Sequence, residues 1–163
     1  MFKNNLKKFF LSSLIIFILF ALDRISKIYI FNLAETDKYL DIYFNSFLNF
    51  HLIWNTGIGF GLLSSETDFY YNLTTILITL INIIILFMII KSDNYKSFFL
   101  LMILGGSLGN LFDRIYYKAV PDFIDVHYHD FHWFIFNVAD IFISIGVICL
   151  IIAEIFFDKR TNK

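Results

Sequence analysis

The chain of 163 residues is long enough for one compact unit, but its composition is not that of a soluble domain. Hydrophobic residues make up 58% of the chain and the mean hydropathy is +0.70, which indicates a membrane protein. The formal net charge of -1 provides no basic field that would attract nucleic acid, so we expect no nucleic-acid partner.

Four apolar segments are long enough, or nearly so, to cross a bilayer, which takes about 20 helical residues. We therefore predict an all-α polytopic membrane protein with a small extracytoplasmic β-element. Its single integral membrane domain, 1–163, would contain transmembrane helices at about 9–30, 70–90, 96–115 and 137–157, joined by extracytoplasmic loops 31–69 and 116–136. The first apolar run lacks a small-x-small cleavage site, so we expect it to be retained as a helix.

Basic residues near the helix ends predict the orientation. Most of the Lys and Arg residues fall on one side of the predicted spans, which is typical of the cytoplasmic side. They are Lys3, Lys7, Lys8, Lys91, Lys96, Lys159, Arg160 and Lys163. We predict a multi-pass membrane protein with both termini in the cytoplasm.

The loop 31–69 has the pattern of a small antiparallel β-element. Its runs YLDIYF and FLNFHLIW are rich in aromatic and branched residues, and a turn-like Asn45-Ser46 lies between them. The glycine-rich run that begins at Asn55 does not open a helix after a strand, so it is interpreted as a turn rather than a phosphate-binding loop.

Asp122 and Asp140 are the acidic residues that could carry chemistry. Each lies at the outer end of a predicted span, where an ionisable group is costly and often functional. Asp140 could instead serve the N-terminus of the fourth helix, and Asp122 could be a solvated loop acid. If the two side chains meet, they can share a proton and activate water for peptide hydrolysis without a metal.

The run HYHDFH holds His127, His129 and His132, with Asp130 between them. This pattern could bind a metal, because His-x-His places two rings on one face of a strand. No second ligand cluster on a rigid element completes the site, and the neighbouring aromatics are typical of a loop at the membrane surface. We expect no metal ligands here and no cofactor.

Other motifs have plainer interpretations. GGSLG at 105–109 fits the nucleophile elbow of serine hydrolases, but it lies within an apolar helix, where small residues usually permit close helix packing. Asp23 and Lys27 are one helical turn apart and could be a simple ion pair. Asp113 and Arg114 could be a boundary ion pair at the membrane surface.

Five blocks, taken together, resemble the lipoprotein signal peptidases (signal peptidase II). They occur in the family's order: DRISK at 23–27, NTGIGFG at 55–61, GGSLGNLFDR at 105–114, VPDFIDV at 120–126 and FNVAD at 136–140. The resemblance implies four helices, a small extracellular β-cradle and a short amphipathic extracellular helix. It also implies an aspartic endopeptidase of the bacterial inner membrane, with its active site toward the extracytoplasmic face. Such an enzyme cuts the signal peptide from a prolipoprotein just before a diacylglyceryl-modified cysteine.

The resemblance places the two catalytic aspartates at Asp122 and Asp140. Asp125, in the same block, does not correspond to a catalytic position. The supporting or substrate-binding positions are Asp23, Lys27, Asn55, Gly57, Gly106, Asn110, Asp113, Arg114 and Asn137. The implied partners are the phospholipid bilayer, membrane-anchored diacylglyceryl prolipoproteins, and cyclic peptide inhibitors such as globomycin, expected to bind the aspartate pair.

Two other classes of function remain open on the sequence alone. A proton-coupled transporter would use intramembrane acids as relay sites, although such acids would be expected nearer the middle of the membrane. A membrane metalloenzyme would use His127, His129 and His132, and its activity would be sensitive to chelators.

Overall fold

A computed structural model of the protein describes residues 2–36, 41–57, 68–92, 95–129 and 131–157. These residues form four long helices and one small sheet. The helices are α1 (Phe2–Thr36), α2 (Asp68–Lys91), α3 (Lys96–Tyr117) and α4 (Val138–Phe157). The strands are β1 (Asp41–Asn45), β2 (Leu48–Asn55), β3 (Val120–Tyr128) and β4 (Phe131–Phe136), and they form an antiparallel sheet in the order β1-β2-β3-β4.

Each helix contains a stretch that is long and apolar enough to cross a membrane: Leu6–Glu35, Phe69–Lys91, Lys96–Tyr117 and Val138–Phe156. The predicted class, four such helices with a small β-element, is therefore confirmed. Helix α3 is central and packs against the other three helices, so half of its span is buried, against 6% of the span in α1. The apolar side chains of α1 mostly point outward, as expected of a helix in contact with lipid.

Two apolar clusters hold the molecule together. One lies among the helices and is built on Ile85 and Ile89 of α2 and Leu100, Leu101, Ile103 and Leu104 of α3. The other joins the end of α1 to the sheet, where Ile30 and Phe123 pack with partly buried neighbours that include Phe50. Because α1 continues past residue 30, it carries apolar side chains up to the sheet and fixes the sheet on the bundle.

The sheet is larger than the sequence predicts. Strands β1 and β2 with their turn at residues 46–47 agree with the predicted hairpin. Strands β3 and β4 lie in the segment 116–136, the second predicted extracytoplasmic loop, whereas the β-element was predicted from the loop 31–69 alone. Buried polar residues and Pro121 obscure the alternation of β3, which is sandwiched between β2 and β4.

The short amphipathic helix implied by the family resemblance is not found among the described residues. Residues 37–40 and 58–67 lie outside the description, as do Asp130 and the basic residues Lys159, Arg160 and Lys163.

Candidate active site

Asp122 and Asp140 line the same cavity. The cavity has a volume of about 210 Å³ and lies where β2, β3 and the helices α2, α3 and α4 meet. Asp122 is on β3 with 1% of its surface exposed, and Asp140 is in the first turn of α4 with 8% exposed. The remaining lining residues are Asn55, Ile78, Ser107, Asn110, Arg114, Val120, Ile143 and Ser144.

Asn137 connects the two carboxyl groups. Its side-chain Nδ2 donates a hydrogen bond of 2.6 Å to Asp122 Oδ1. Its Oδ1 accepts a bond of 3.1 Å from the backbone N–H of Asp140, while its own backbone N–H donates one of 3.1 Å to Asp140 Oδ2. This reciprocal pair is a capping box, which begins α4 and fixes Asp140 at its third helical position. The interpretation of Asp140 as a capping residue is therefore correct, and the same bonds hold it beside Asp122.

Asn55 at the end of β2 binds the second oxygen of Asp122. Its Nδ2 donates to Asp122 Oδ2 at 2.9 Å, and its Oδ1 accepts a bond of 2.8 Å from the backbone N–H of Gly57. The turn at Gly57 thus orients the Asn55 amide so that its donor faces the carboxyl. Burial raises the pKa of Asp122 above its ordinary value, although the bonds from Asn55 and Asn137 favour the charged form and oppose that rise.

Asp140 is linked to a buried charge cluster through Asn110. Asn110 Nδ2 donates to Asp140 Oδ1 at 2.9 Å, and Asn110 Oδ1 accepts from Lys27 Nζ at 2.9 Å. Lys27 also donates to Asp23 at 2.9 Å and to Asp113 at 2.6 Å, so its three N–H groups all have acceptors. Asp23, Lys27 and Asp113 are completely buried.

The cluster also holds the N-terminus of α4. Asp23 Oδ1 accepts a bond of 3.1 Å from the backbone N–H of Ala139, one of the N–H groups that a helix leaves unpaired at its start. Asp23 and Lys27 are therefore more than an i,i+4 pair on one helix. They join α1 to α3 and to the first turn of α4, which carries Asp140.

Asp113 and Arg114 do not form the boundary ion pair that their adjacency suggests. Asp113 points to α1, where Arg24 Nη1 lies 2.6 Å from its Oδ1 in addition to the bond from Lys27. Arg114 is 2% exposed and lines the cavity, with its guanidinium 5.6 Å from the ring of Tyr71. Its Nη1 has no hydrogen-bond partner among the described residues.

Tyr71 and Arg24 contact residues of this site, although the sequence did not single them out. The Tyr71 hydroxyl donates a bond of 2.5 Å to the backbone carbonyl of Arg114 at the end of α3. Arg24 contacts Asp23 and Asp113. Each lies at the end of an apolar run, where a polar residue is ordinary, so only the packing of the helices identifies them.

The motif at 105–109 serves helix packing. Gly106 faces α4 so closely that a Cβ there would lie 2.5 Å from the carbonyl oxygen of Ala139. Gly109 faces α1, and a Cβ there would lie 2.6 Å from Asp23 Oδ2. Ser107 does line the cavity, but it is helical, and the described residues that line the cavity include no histidine or lysine to act as a base. The motif therefore lacks the strand–turn–helix context of a nucleophile elbow.

Gly106→Ala is expected to lower both stability and activity, because a methyl group cannot fit against a backbone oxygen and α4 must move. Gly146→Ala is the matched control, since its Cβ would also clash across α3 and α4, 2.7 Å from Ile103 Cγ1, but away from Asp140. We expect both variants to melt at lower temperature in detergent. Only Gly106→Ala should lower kcat by more than its folded fraction explains, and equal losses of kcat would contradict a role in positioning Asp140.

The histidines of the aromatic segment lie outside the cavity. His127 is on β3, His132 is on β4, and His129 occupies the turn between them with φ 52°. The histidines therefore belong to a β-hairpin, whereas the sequence predicts a loop here. None of the three lines the cavity that contains Asp122 and Asp140.

Known proteins resemble this chain over nearly its whole length. The family model described as signal peptidase (SPase) II matches residues 15–156. A lipoprotein signal peptidase of Pelagibacter ubique is 56% identical over 99% of this chain and 98% of its own length. A lipoprotein signal peptidase of Aquifex aeolicus is 41% identical over 88% of this chain and 84% of its own length.

A solved structure described as a bacterial membrane enzyme aligns with a TM-score of 0.75 at 31% identity, covering 93% of this chain and 91% of the other. The helices, the sheet and the sequence blocks thus agree with one group of proteins. The extent of the family match and the identity of these relatives show that the chain belongs to the signal peptidase II family.

Proposed function

We propose that Asp122 and Asp140 are the catalytic pair of an aspartic endopeptidase that cuts diacylglyceryl-modified prolipoproteins before the lipidated cysteine. As a member of the signal peptidase II family, the chain removes signal peptides from prolipoproteins. The observation that supports the assignment of the pair is that two buried carboxyl groups line one cavity and both accept hydrogen bonds from Asn137, Asp122 from its side chain and Asp140 from its backbone N–H.

The surroundings suit acid–base chemistry on a water molecule. Burial favours a protonated carboxyl, while the amide donors of Asn55, Asn110 and Asn137 stabilise a carboxylate, so one shared proton is a stable state for the pair. The carboxylate takes a proton from water as the water oxygen bonds to the scissile carbonyl carbon. The protonated partner then donates its proton to the departing nitrogen as the C–N bond breaks.

The walls of the cavity suit a substrate that arrives from the bilayer. Ile78 of α2 and Ile143 and Ser144 of α4 line it beside the acids, so two membrane-spanning helices form part of its wall. A lipid-anchored substrate could keep its acyl chains in the membrane while its peptide enters here. Arg114 Nη1, which has no partner among the described residues, would donate to a substrate carbonyl oxygen.

The distribution of basic groups supports an active site at the extracytoplasmic face and termini in the cytoplasm. Lys8 Nζ donates a bond of 2.5 Å to the carbonyl of Ser92, and Lys96 contacts Glu154 at 2.6 Å. The start of α1, the α2–α3 connection and the end of α4 therefore share one end of the bundle. The sheet and the acids lie at the other end, which we assign to the outside of the inner membrane.

The proposal is tested with purified enzyme and a diacylglyceryl prolipoprotein, with the products identified by mass spectrometry. We expect cleavage directly before the modified cysteine, little cleavage of the unmodified precursor, and full activity in the presence of a chelator. Globomycin should inhibit competitively if it binds the aspartate pair. Ion flux without proteolysis would favour a transporter, and activity lost to a chelator would favour a metalloenzyme.

Asn55→Ala is expected to shift the acid limb of the pH profile of kcat/KM to higher pH by about one unit. Asn55 donates to the carboxylate form of Asp122, so its loss raises the pKa of that group and ionisation of the pair then requires a higher pH. Asn49→Ala, on the same strand but outside the cavity, should leave the profile in place. An unmoved acid limb in Asn55→Ala would show that this bond does not tune the pair.

A further inference from the structure

A second cluster of ionisable side chains lies on the hairpin of β3 and β4, outside the cavity. Asp125, His127 and His132 each place a possible ligand atom within 4.8 Å of the other two. Asp125 and His127 are two residues apart on β3, and His132 is directly opposite His127 on β4. The pairing register shifts between Asp125 and His127, and such an irregularity redirects side chains within a sheet.

Two members of the cluster already contact each other. Asp125 is 4% exposed, and His132 Nδ1 lies 2.9 Å from its Oδ2 and 3.1 Å from its Oδ1. The rings of His127 and His132 are stacked, with centroids 5.2 Å apart. A buried carboxylate thus faces two imidazole rings on neighbouring strands.

His127 is not satisfied by this arrangement. Its Nδ1 is buried and has no hydrogen-bond partner in the part of the chain that the structure describes. A buried polar atom without a partner is unusual and indicates a bound group such as an ion. His127 Nδ1 is therefore an observation, independent of the grouping itself, that points to a ligand.

We propose that Asp125, His127 and His132 bind one Zn²⁺ ion. Two imidazole nitrogens and one carboxylate oxygen are ligands that Zn²⁺ prefers, with water in the fourth position. Tetrahedral bonds of about 2.0–2.1 Å separate ligand atoms by about 3.3 Å, so atoms within 4.8 Å need only small side-chain rotations. The sequence led us to expect no metal ligands in this segment, because Asp125 was not considered together with the histidines. In the structure Asp125 is one of the three proposed ligands, and the two strands provide the rigid support that a loop lacks.

The ion would have a structural role in the sheet. It would tie β4 to β3 three residues beyond Asp122, and it takes no part in the reaction proposed for the cavity. The inference is therefore independent of the proposed function. Its direct consequence is that Zn²⁺ stabilises the folded protein, since an ion that binds only the folded state raises the melting temperature.

The test uses the full chain in detergent, with an affinity tag free of histidine and with bound metal first removed by a chelator. Zn²⁺ is titrated against a chromophoric chelator, and melting is followed with and without Zn²⁺. We expect one equivalent of Zn²⁺ to bind and to raise the melting temperature, with reversal by EDTA. His127→Gln and His132→Gln should each weaken binding by at least about 10–100-fold and abolish the rise.

The matched control is His129→Asn, which removes a neighbouring histidine from the turn and keeps a residue that tolerates its φ of 52°. It should bind Zn²⁺ as the parent chain does. Melting in EDTA distinguishes loss of the ligand from loss of the fold, because His132 is largely exposed and its replacement should leave the metal-free protein intact. If the parent chain does not bind Zn²⁺, or binds it equally well without His127 or His132, the cluster is an ion pair only.

Discussion

Replacement of Asp122 or of Asp140 by Asn is expected to lower the rate of prolipoprotein cleavage by about 10²–10⁴-fold. Each change keeps the size of the side chain but removes a group that can take or give a proton. Because the proposed mechanism has both carboxyls act on one water molecule, we expect the double variant to be little worse than either single variant. Single-turnover cleavage by purified enzyme measures the chemical step.

The change at each site must be separated from its effect on the fold. Both oxygens of each carboxyl accept a hydrogen bond, those of Asp122 from two side-chain amides and those of Asp140 from Asn110 and a backbone N–H. Asn in either place would therefore point its NH₂ group at another donor. Melting temperature and circular dichroism report this cost directly. Asp41→Asn, which removes an exposed acid from β1 of the same sheet, should cleave at the parent rate. A folded Asp122→Asn or Asp140→Asn variant with nearly full activity would exclude the catalytic pair.

The helices and the first hairpin could be predicted because their signals are local. An apolar run of sufficient length specifies a span, and the two aromatic runs around Asn45 specify β1 and β2. Strand β3 is different because its polar side chains are satisfied by distant residues. Asp122, for example, is bonded by Asn55 from β2 and by Asn137 from the start of α4.

The resemblance to the family's motifs suggested most of the polar residues around the cavity, whereas their contacts with one another required the structure. From their spacing, Asp23 and Lys27 were predicted to form an ion pair within one helix. From their adjacency, Asp113 and Arg114 were predicted to form an ion pair at the membrane boundary. In the folded chain Lys27 binds Asp113 across two helices, and Arg114 turns to the cavity. Periodicity indicates which face of a helix a residue occupies, but the partner on that face depends on how the helices pack.

The same limit explains the two interpretations of the histidine segment. In the sequence, His127, His129 and His132 appear as one group within a loop. The hairpin separates them, since pairing of β3 with β4 brings His132 opposite His127 and leaves His129 in the turn. Asp125, which lies before the histidines in the sequence, joins the group only because the sheet exists.

Lys27→Met is expected to lower the free energy of unfolding by about 3–5 kcal/mol, because it breaks a buried ion pair and leaves the charge on its partners uncompensated. Lys27 is completely buried between Asp23 and Asp113, and Arg24 alone cannot replace its bond to Asn110. Activity should also fall, since Asn110 is the link from Lys27 to Asp140. Reversible unfolding in mixed micelles measures the first effect, and kcat of the folded fraction measures the second.

Lys96→Met is the matched control, because Lys96 contacts Glu154 at the same distance of 2.6 Å but in an exposed pair. Exposed pairs contribute about 0–1 kcal/mol to stability, so the two variants differ in the burial of the pair and not in its distance.

In the double variant Lys27→Met with Asp113→Asn, one uncompensated charge is removed and part of the stability should return. Activity should stay low in the double variant, because the bond from Lys27 to Asn110 is still missing. If kcat recovered together with stability, Lys27 would act on the fold alone and the path through Asn110 to Asp140 would have no catalytic effect.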